Sequence, residues 1–281
     1  MMAQIITWLM VAYFLAIHSI YLMLSLLAAR ALYRNQRYRD MEALPIAYSL
    51  LTPPISVLVP AYNEETTIVA TVESLLQLSY AEFEVVVIND GSKDATLSVL
   101  TEQFGLLPYP EAYRVQIPTQ EIIQIYRSTR HPRLRVIDKR NGGKADSLNA
   151  GINASRYPLF CGVDADSILE RDSLQKVVKP FLRHADMVAT GGTIRAANGC
   201  DVRGGDLHKV DLPANPWALF QVMEYLRAFL FGRLGWSSVN AMLIISGAFG
   251  LFRKQTVIEV GGYKTHTIGE DMELVVRIHH Q

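Results

Sequence analysis

The stretch RLRVIDKRNGGKADSLNAGINASRYPLFCGVDADS (133–167) decides the fold of this chain. It opens with an apolar run, crosses a turn of two glycines into a helical pattern over about 143–154, and ends in a second apolar run at 158–166. Continuous apolar strands separated by a helix are typical of a parallel sheet that helices cover on both faces. The carboxyl ends of such strands form the edge at which open α/β sheets bind ligands.

The same alternation continues away from this stretch. Upstream, ISVLVP (55–60) and EVVVIND (84–90) predict two further buried strands. The predicted helices cover about 64–78, the residues from about Ser92, and about 173–184. We therefore predict an α/β fold over 55–281, with a Rossmann-like, mostly parallel sheet and helices on both faces.

Three segments depart from this alternation. Residues 103–132 carry four prolines and little periodicity, so we predict an excursion with one short helix at about 120–126. Residues 215–236 read as an amphipathic helix, which either packs on the core or lies at a membrane interface. The apolar run 238–252 is short and contains two glycines, which favours buried strand and loop.

The N-terminal region has the composition of a membrane span. Residues 1–29 contain no Asp, Glu, Lys or Arg. As a helix, the apolar run 5–29 is about 38 Å long, at about 1.5 Å per residue, which exceeds a bilayer core of about 30 Å. A signal peptide is the competing interpretation, but its basic residues would come before the apolar run. We predict a transmembrane helix at 1–33 and a linker at 34–54.

Basic residues follow the span and predict its orientation. Arg30, Arg34, Arg37 and Arg39 come directly after the apolar run. The positive-inside rule then predicts an N-terminus outside an inner (plasma) membrane and a cytoplasmic catalytic domain. His18 is the titratable side chain within the span, and it either has a function or packs against a partner helix.

Charge and cysteine usage exclude some classes of protein. Charged residues make up 19% of the chain and the net charge is zero, which argues against nucleic-acid binding. Two cysteines cannot form a disulfide framework. Cys161 lies in an apolar run and is predicted to be a buried thiol, which fits a reducing compartment.

Polar clusters follow the predicted strands. After Pro60, Asn63 and Glu64 either face a ligand or, through Asn63, cap the next helix. Asp90, followed by Gly91 and Ser92, either accepts from a base or ribose hydroxyl or forms an Asx turn.

Three further clusters carry charge. Lys144 follows Asn141-Gly142-Gly143 at a helix start, where a diphosphate or simply a surface turn would explain it. Asp164 and Asp166 end a buried strand and either bind Mg²⁺ or Mn²⁺ or are exposed turn acids. Asp271 begins the last helix and is either a general base or a partner of the helix dipole.

Six motifs in order carry a family resemblance: VPAYNEE, VVVINDGS, DKRNGGKADSLN, GVDADS, SGAFGLFRK and GEDMEL. Together they resemble the GT-A fold of family-2 glycosyltransferases. With a membrane helix ahead of them, they resemble the processive membrane synthases of cellulose, hyaluronan, chitin and poly-N-acetylglucosamine.

The resemblance implies roles for the donor site. It assigns the nucleotide pocket to three residues of the first loop: Ala61, Tyr62 and Glu64. Asp90 would hold the uracil or ribose, and Lys144 would contact the diphosphate. Asp164 would lie beside the nucleotide, and Asp166, with Asp164 next to it, would ligate Mg²⁺ or Mn²⁺.

It also implies roles for the acceptor side. Ser246 and Gly247 would lie by the acceptor end. Asp271 matches the catalytic base of the family, and Glu270 is next to it. A metal-dependent, inverting transfer of a sugar from a UDP-sugar to a growing β-linked polysaccharide follows, with the bilayer as a partner and without nucleic acid.

Other functions remain open from the sequence. A non-processive enzyme could transfer one sugar to a polyprenyl phosphate, giving a lipid-linked acceptor. A non-catalytic, membrane-anchored nucleotide-binding subunit could use the same scaffold. The processive enzymes also carry a later Gln-x-x-Arg-Trp motif and further membrane helices. The chain ends at Gln281 inside a predicted helix, so we expect a fragment truncated at its C-terminal end.

Overall fold

The computed structural model describes residues 1–39, 52–203 and 206–280. These residues form two compact units. The smaller unit comprises the N-terminal helix with residues 193–199 and 211–242, and the larger unit contains the sheet and the predicted site residues.

A mixed sheet of eight strands is the frame of the larger unit. The strands of the chain are β1 (Ile55–Ala61), β2 (Phe83–Asn89), β3 (Leu106–Pro108), β4 (Ile122–Ser128), β5 (Leu134–Lys139), β6 (Leu159–Val163), β7 (Ala189–Gly191), β8 (Asp201–Arg203), β9 (Asp206–Lys209) and β10 (Phe249–Arg253). The order in the sheet is β3-β4-β5-β2-β1-β6-β10-β7, and β8 and β9 form a separate hairpin. The central strands β5, β2, β1 and β6 are parallel, and antiparallel strands flank them on both sides.

The helices alternate with the parallel strands, as predicted. They are α1 (Met2–Arg39), α2 (Ile68–Leu76), α3 (Thr96–Phe104), α4 (Lys144–Ala154), α5 (Ser173–Arg183), α6 (Pro216–Leu226), α7 (Arg233–Ser238), α8 (Lys254–Glu259) and α9 (Glu270–His279). Both α2 and α3 begin about four residues later than predicted, because the loops before them are tied to each other by hydrogen bonds that are described with the site.

Apolar side chains of the central strands form the core. All seven residues of β2 and all five of β6 are buried. Residues 145–154 of α4 are buried as well, and the backbone of Gly151 lies against the side chains of Leu58 and Ile88. Cys161 is a fully buried free thiol, as predicted, and burial raises its pKa.

The prediction of a short helix at about 120–126 is wrong. The segment Ile122–Ser128 is strand β4, which pairs antiparallel with β5 so that Ile125 lies opposite Ile137. Three isoleucines in IIQIY favour a strand over a helix because β-branched side chains fit a pleated surface. The run is too short for periodicity to separate the two structures.

The segment 215–236 is helical but irregular. The Asn215 side chain accepts a hydrogen bond from the Trp217 amide at the start of α6, and a π-helical turn (Arg227–Gly232) joins α6 to α7. No residue of α6 is buried, which contradicts the core-packed alternative. In α7, Gly235 lies so close to α1 that a Cβ would meet the Leu24 carbonyl at 2.7 Å. The segment 238–252 contributes the buried strand β10 after a loop.

The N-terminal helix has the length of a membrane span. Within α1, the stretch Met2–Arg34 is the single candidate span among the described residues, judged by length and composition. The ring of His18 donates to the Phe14 carbonyl one turn back. The helix continues to Arg39, into the predicted linker, and residues 40–51 of that linker lie outside the described part.

Candidate active site

Loops at the carboxyl ends of β1, β2 and β6 and the start of α4 surround one cavity of about 260 Å³. Seven residues that the motifs single out line it: Ala61, Tyr62, Glu64, Asp90, Lys144, Asp164 and Asp166. The topology explains this meeting, because parallel strands direct their carboxyl ends to the same edge of the sheet. The chain thus brings residues more than 100 positions apart to one polar cavity.

The loop that follows β1 is held by hydrogen bonds to the loop that follows β2. The backbone N–H of Asn63 donates to Ser92 Oγ at 3.0 Å. The side-chain oxygen Oδ1 of Asn63 accepts from the backbone N–H of Lys93 at 2.8 Å. Asn63 has a positive φ of 58° and does not cap α2, which has Thr67 at its N-cap without a side-chain hydrogen bond. The capping interpretation of Asn63 is therefore wrong. The backbone N–H and the side-chain oxygen of Asn63 instead fix the loop that carries Tyr62 and Glu64.

The Asp90 carboxylate is fully engaged within the protein. Oδ1 accepts from the Gly142 amide at 3.0 Å, and Oδ2 accepts from the Gly143 amide at 2.8 Å and from Asn141 Nδ2 at 3.1 Å. Lys139 Nζ donates to Oδ1 at 2.5 Å. A carboxylate has about four acceptor positions, so the geometry favours Asp90 as the residue that shapes the Asn141-Gly142-Gly143 turn.

A buried lysine beneath this turn was not predicted. The side chain of Lys139, at the end of β5, has no exposed surface and bridges Asp90 to Asp146 Oδ2, which lies 2.7 Å from Nζ. Asp146 also accepts from the Gln120 amide at 3.1 Å, which attaches the excursion to α4. The sequence contained one sign of this buried ion pair: a lysine at the end of an apolar strand, followed by an acid in the first turn of the next helix.

Lys144 forms an ion pair with Asp164, which links α4 to the end of β6. Burial opposes the charge on Lys144, but the hydrogen bond to Asp164 and the charges of Asp164, Asp271 and Glu270 outweigh it and raise the Lys144 pKa. The ammonium is therefore positive at neutral pH and lies in a field of three carboxylates. The pair is about one-third exposed, so a ligand can reach both groups.

Asp271 contacts the Ser246-Gly247 segment. At the start of α9, its Oδ2 accepts from the Gly247 amide at 2.8 Å. A Cβ on Gly247 would come within 2.6 Å of that oxygen, so only glycine permits this approach. Ser246 precedes it, and its Oγ accepts a long hydrogen bond from the Ala248 amide at 3.4 Å.

Electrostatics distinguish Asp271 from an ordinary aspartate. Burial raises its pKa most, and the charges of Glu270 and Asp164 add to this effect. Lys144 and the Gly247 amide oppose the shift without reversing it. A carboxylate with a raised pKa has a higher proton affinity, which is the property a general base requires.

Among the described residues, a metal site at the cavity would have two carboxylates and would need further ligands. Within the described ranges, no group of three His, Cys, Asp or Glu side chains could hold a metal ion. Asp166 is exposed at the cavity, and Asp164 is engaged by Lys144. Mg²⁺ commonly takes one or two carboxylates together with substrate phosphates, so this pair fits a cation that arrives with a nucleotide.

Sequence comparison gives this arrangement a family context. The profile described as Glycosyl transferase family 2 matches residues 56–113 and 116–255. A poly-beta-1,6-N-acetyl-D-glucosamine synthase of Staphylococcus epidermidis is 27% identical over 225 residues, covering 80% of this chain and 45% of that protein. The synthase of that name from Staphylococcus aureus strain COL is 29% identical over 227 residues, with the same coverage. The chain spans about half the length of these curated relatives.

Solved structures share the fold. A mannosyltransferase from Pyrobaculum calidifontis, in complex with GDP-Man and Mn²⁺, superposes with a TM-score of 0.55 at 20% identity, covering 92% of this chain and 63% of that one. Residues 1–349 of Staphylococcus aureus TarS, in complex with UDP-GlcNAc, superpose with a TM-score of 0.50 at 17% identity, covering 80% of this chain and 53% of that one. The sheet is thus the mixed, mostly parallel sheet of GT-A glycosyltransferases.

Proposed function

The chain belongs to glycosyl transferase family 2, and from that premise we propose that it transfers a sugar from a UDP-sugar to a growing β-linked polysaccharide with inversion. The observation that carries the proposal is the cavity itself. It combines a cationic lysine, two carboxylates suited to a cation and a nearby aspartate with a raised pKa. Binding a nucleotide with its cation explains the lysine and the two carboxylates, and deprotonating an acceptor explains the aspartate.

The donor site is proposed as follows. Tyr62, Glu64 and the backbone at Ala61 contact the nucleoside, and Asp90 acts by holding the turn on which the nucleotide rests. Lys144 exchanges part of its pairing with Asp164 for the diphosphate. This exchange keeps the ammonium neutralised in both states, so the site is stable without a ligand and attractive to an anion.

Asp164 and Asp166 are the proposed cation ligands. A divalent cation, Mg²⁺ or Mn²⁺, would neutralise negative charge on the diphosphate leaving group. The GDP-Man and Mn²⁺ complex of the Pyrobaculum calidifontis mannosyltransferase supports the chemistry. The absence of a three-residue cluster among the described residues fits a cation shared with substrate phosphates.

Asp271 is the proposed general base. The acceptor hydroxyl attacks the anomeric carbon from the face opposite the diphosphate, and its proton passes to the Asp271 carboxylate. The bond from the anomeric carbon to the phosphate oxygen breaks, and its electron pair leaves with the diphosphate. Lys144 stabilises the charge that develops there. In-line attack inverts the anomeric centre, so an α-linked donor gives a β-linked product.

The names of the relatives support a choice among the possible donor sugars. Both relatives described above are named as synthases of a poly-N-acetylglucosamine, and the TarS structure contains UDP-GlcNAc. We therefore propose UDP-N-acetylglucosamine as donor and a β-linked N-acetylglucosamine polymer as acceptor. Transfer of one sugar to a polyprenyl phosphate is the alternative, and it differs in product size.

Membrane attachment is part of the proposal. The stretch Met2–Arg34 is long and apolar enough to span a bilayer. We propose that α1 anchors the chain in the inner (plasma) membrane with its N-terminus outside. The catalytic unit then lies in the cytoplasm, where UDP-sugars are made.

A donor panel tests the function. The protein in lipid nanodiscs is incubated with radiolabelled UDP-N-acetylglucosamine, UDP-glucose or GDP-mannose, and nucleotide release and product size are measured. UDP-N-acetylglucosamine should be turned over, and Asp166→Asn should reduce turnover by at least about 10²-fold, the scale of losing one key electrostatic group. Binding of UDP without release from any donor would indicate a non-catalytic subunit. A product one sugar longer than a lipid acceptor would indicate the alternative.

A further inference from the structure

Ser147 presents an unused hydroxyl to the cavity. It lies in the first turn of α4, one turn beyond Lys144, and lines the cavity while having no exposed surface. Its Oγ is buried and has no hydrogen-bond partner among the described residues. An unpaired buried hydroxyl costs free energy, so its placement at a ligand cavity calls for an explanation.

Several other buried or half-buried hydroxyls in or next to helices of the described residues are paired. Thr101 Oγ1 donates to the Leu97 carbonyl at 2.7 Å, and Thr71 Oγ1 donates to the Ala165 carbonyl at 2.5 Å. At the other end of α4, Ser155 Oγ donates to the Ile152 carbonyl at 2.8 Å. Ser147 differs from these residues because it lines the cavity and its hydroxyl has no partner among the described residues.

The exposure of the cavity residues indicates which part of a ligand meets Ser147. The Lys144 and Asp164 side chains are 37% and 31% exposed and therefore mark the open side. The negative charges of Asp271 and Glu270 also contribute to the raised pKa of Lys144. Asp90, at 3%, and Ser147, at 0%, form the closed side. A donor whose diphosphate lies at Lys144 and whose sugar faces Asp271 places its nucleoside on the closed side.

We propose that the Ser147 hydroxyl binds the nucleoside of the donor, an inference that rests on the proposed function. A hydroxyl both donates and accepts, so it can meet a uracil carbonyl or a ribose hydroxyl. Binding supplies the partner that the ligand-free protein lacks. The residue thereby contributes to affinity for the donor at the expense of stability in its absence.

This role predicts opposite signs for stability and affinity. Ser147→Ala removes an unpaired hydroxyl, so the thermal midpoint of the ligand-free protein should be at or above that of the wild type. The same change should weaken UDP binding by about three- to tenfold, the effect of losing one uncharged hydrogen bond. Ser155→Ala is the matched control: it should lower the midpoint, because its hydroxyl is paired, and leave UDP affinity unchanged.

Calorimetric titration of the full chain in lipid nanodiscs measures these affinities for UDP, UMP and inorganic pyrophosphate. Ser147→Ala should weaken UDP and UMP by the same factor and leave pyrophosphate unchanged. A wild type that binds UDP, with a variant that binds it equally well, overturns the inference and leaves the proposed function standing. An equal loss for pyrophosphate assigns Ser147 to the phosphates and overturns it too. A wild type that binds no uridine nucleotide removes the proposed function, and the Ser147 assignment with it.

Discussion

At the scale of single residues, Asp271 connects the two halves of the proposed reaction. One of its oxygens accepts from the amide of Gly247, a proposed acceptor-side residue. Lys144, proposed to bind the donor, lowers the pKa of Asp271 against a larger effect of burial, so the pKa remains raised. A base in this position responds to acceptor and donor at once. As the proposed base, it would take a proton from the acceptor and should contribute little to UDP binding.

Asp271→Asn should therefore separate chemistry from binding. Transfer should fall by roughly 10²–10⁴, the usual contribution of a positioned base, with UDP affinity within a few-fold of the wild type. In the wild type, the raised pKa of Asp271 means that activity declines on the acid side at a higher pH than an ordinary aspartate would impose, because only the carboxylate accepts a proton. Parallel calorimetry and pH–rate profiles measure both effects. Loss of UDP binding in a folded variant would assign Asp271 to the nucleotide or the metal, and Glu270 would then be the next candidate base.

At the scale of elements, the network under the site couples three of them. Lys139 at the end of β5 joins Asp90 after β2 to Asp146 in α4, and Asp90 in turn holds the amides of Gly142 and Gly143. These contacts place the first turn of α4, and with it Lys144, against the sheet edge. The position of Lys144, the proposed diphosphate-binding residue, thus depends on Lys139, which has no exposed side-chain surface.

Lys139→Met tests this coupling. The change leaves two buried carboxylates without their cation, and unfolding free energy should fall by about 3–5 kcal/mol. Lys176 is the matched control, since its ammonium also pairs with two acids, Glu170 and Asp172, but is 55% exposed. Lys176→Met should change stability by less than about 1 kcal/mol. Denaturant unfolding of both variants gives the comparison, and equal losses would contradict the buried network.

The sequence predicts some of these elements and residues and misses others, because only some of them are determined by local composition. The four central strands follow from apolar runs such as 84–90, because burial on both faces needs only local composition. Strand β4 does not follow, since its seven residues have a mixed burial pattern and are too few for periodicity to separate a strand from a helix. The motifs also located the cavity residues. They did not reveal Lys139 or Ser147, because whether a buried polar group is paired depends on side chains that tertiary folding brings to it.

At the scale of the whole molecule, apolar surface is concentrated in the smaller unit. On α6, Trp217, Phe220 and Met223 are 81%, 59% and 56% exposed, and α7 of the same unit packs against the candidate span α1. Aromatic side chains beside a span are typical of a helix at the membrane interface. The helix would then lie along the lipid surface, and its polar residues, including the Glu224 and Arg227 pair, would face water.

Fluorescence can test this placement of α6. With Trp8 and Trp236 replaced by phenylalanine, Trp217 is the remaining tryptophan. In vesicles, lipids brominated near the headgroup end of the acyl chain should quench its emission strongly. A control variant in which Trp217 is also replaced and Leu15→Trp puts the single tryptophan near the middle of the apolar run 5–29 should be quenched better by lipids brominated deeper. Emission of Trp217 that no brominated lipid reduces would show that this face of α6 is not in lipid.

Orientation decides whether the catalytic unit can reach its donor. Four arginines follow the apolar run, and basic residues remain on the cytoplasmic side of a span. A fusion of green fluorescent protein after residue 40 should therefore fluoresce in a bacterial host, and a fusion of alkaline phosphatase at the same position should be inactive. Replacing Arg30, Arg34, Arg37 and Arg39 by glutamine should shift part of the population to the opposite pattern, since it removes the charge that holds this end inside. An active phosphatase fusion in the unaltered chain would place the sheet on the side away from UDP-sugars, and a donor of another kind would then be required.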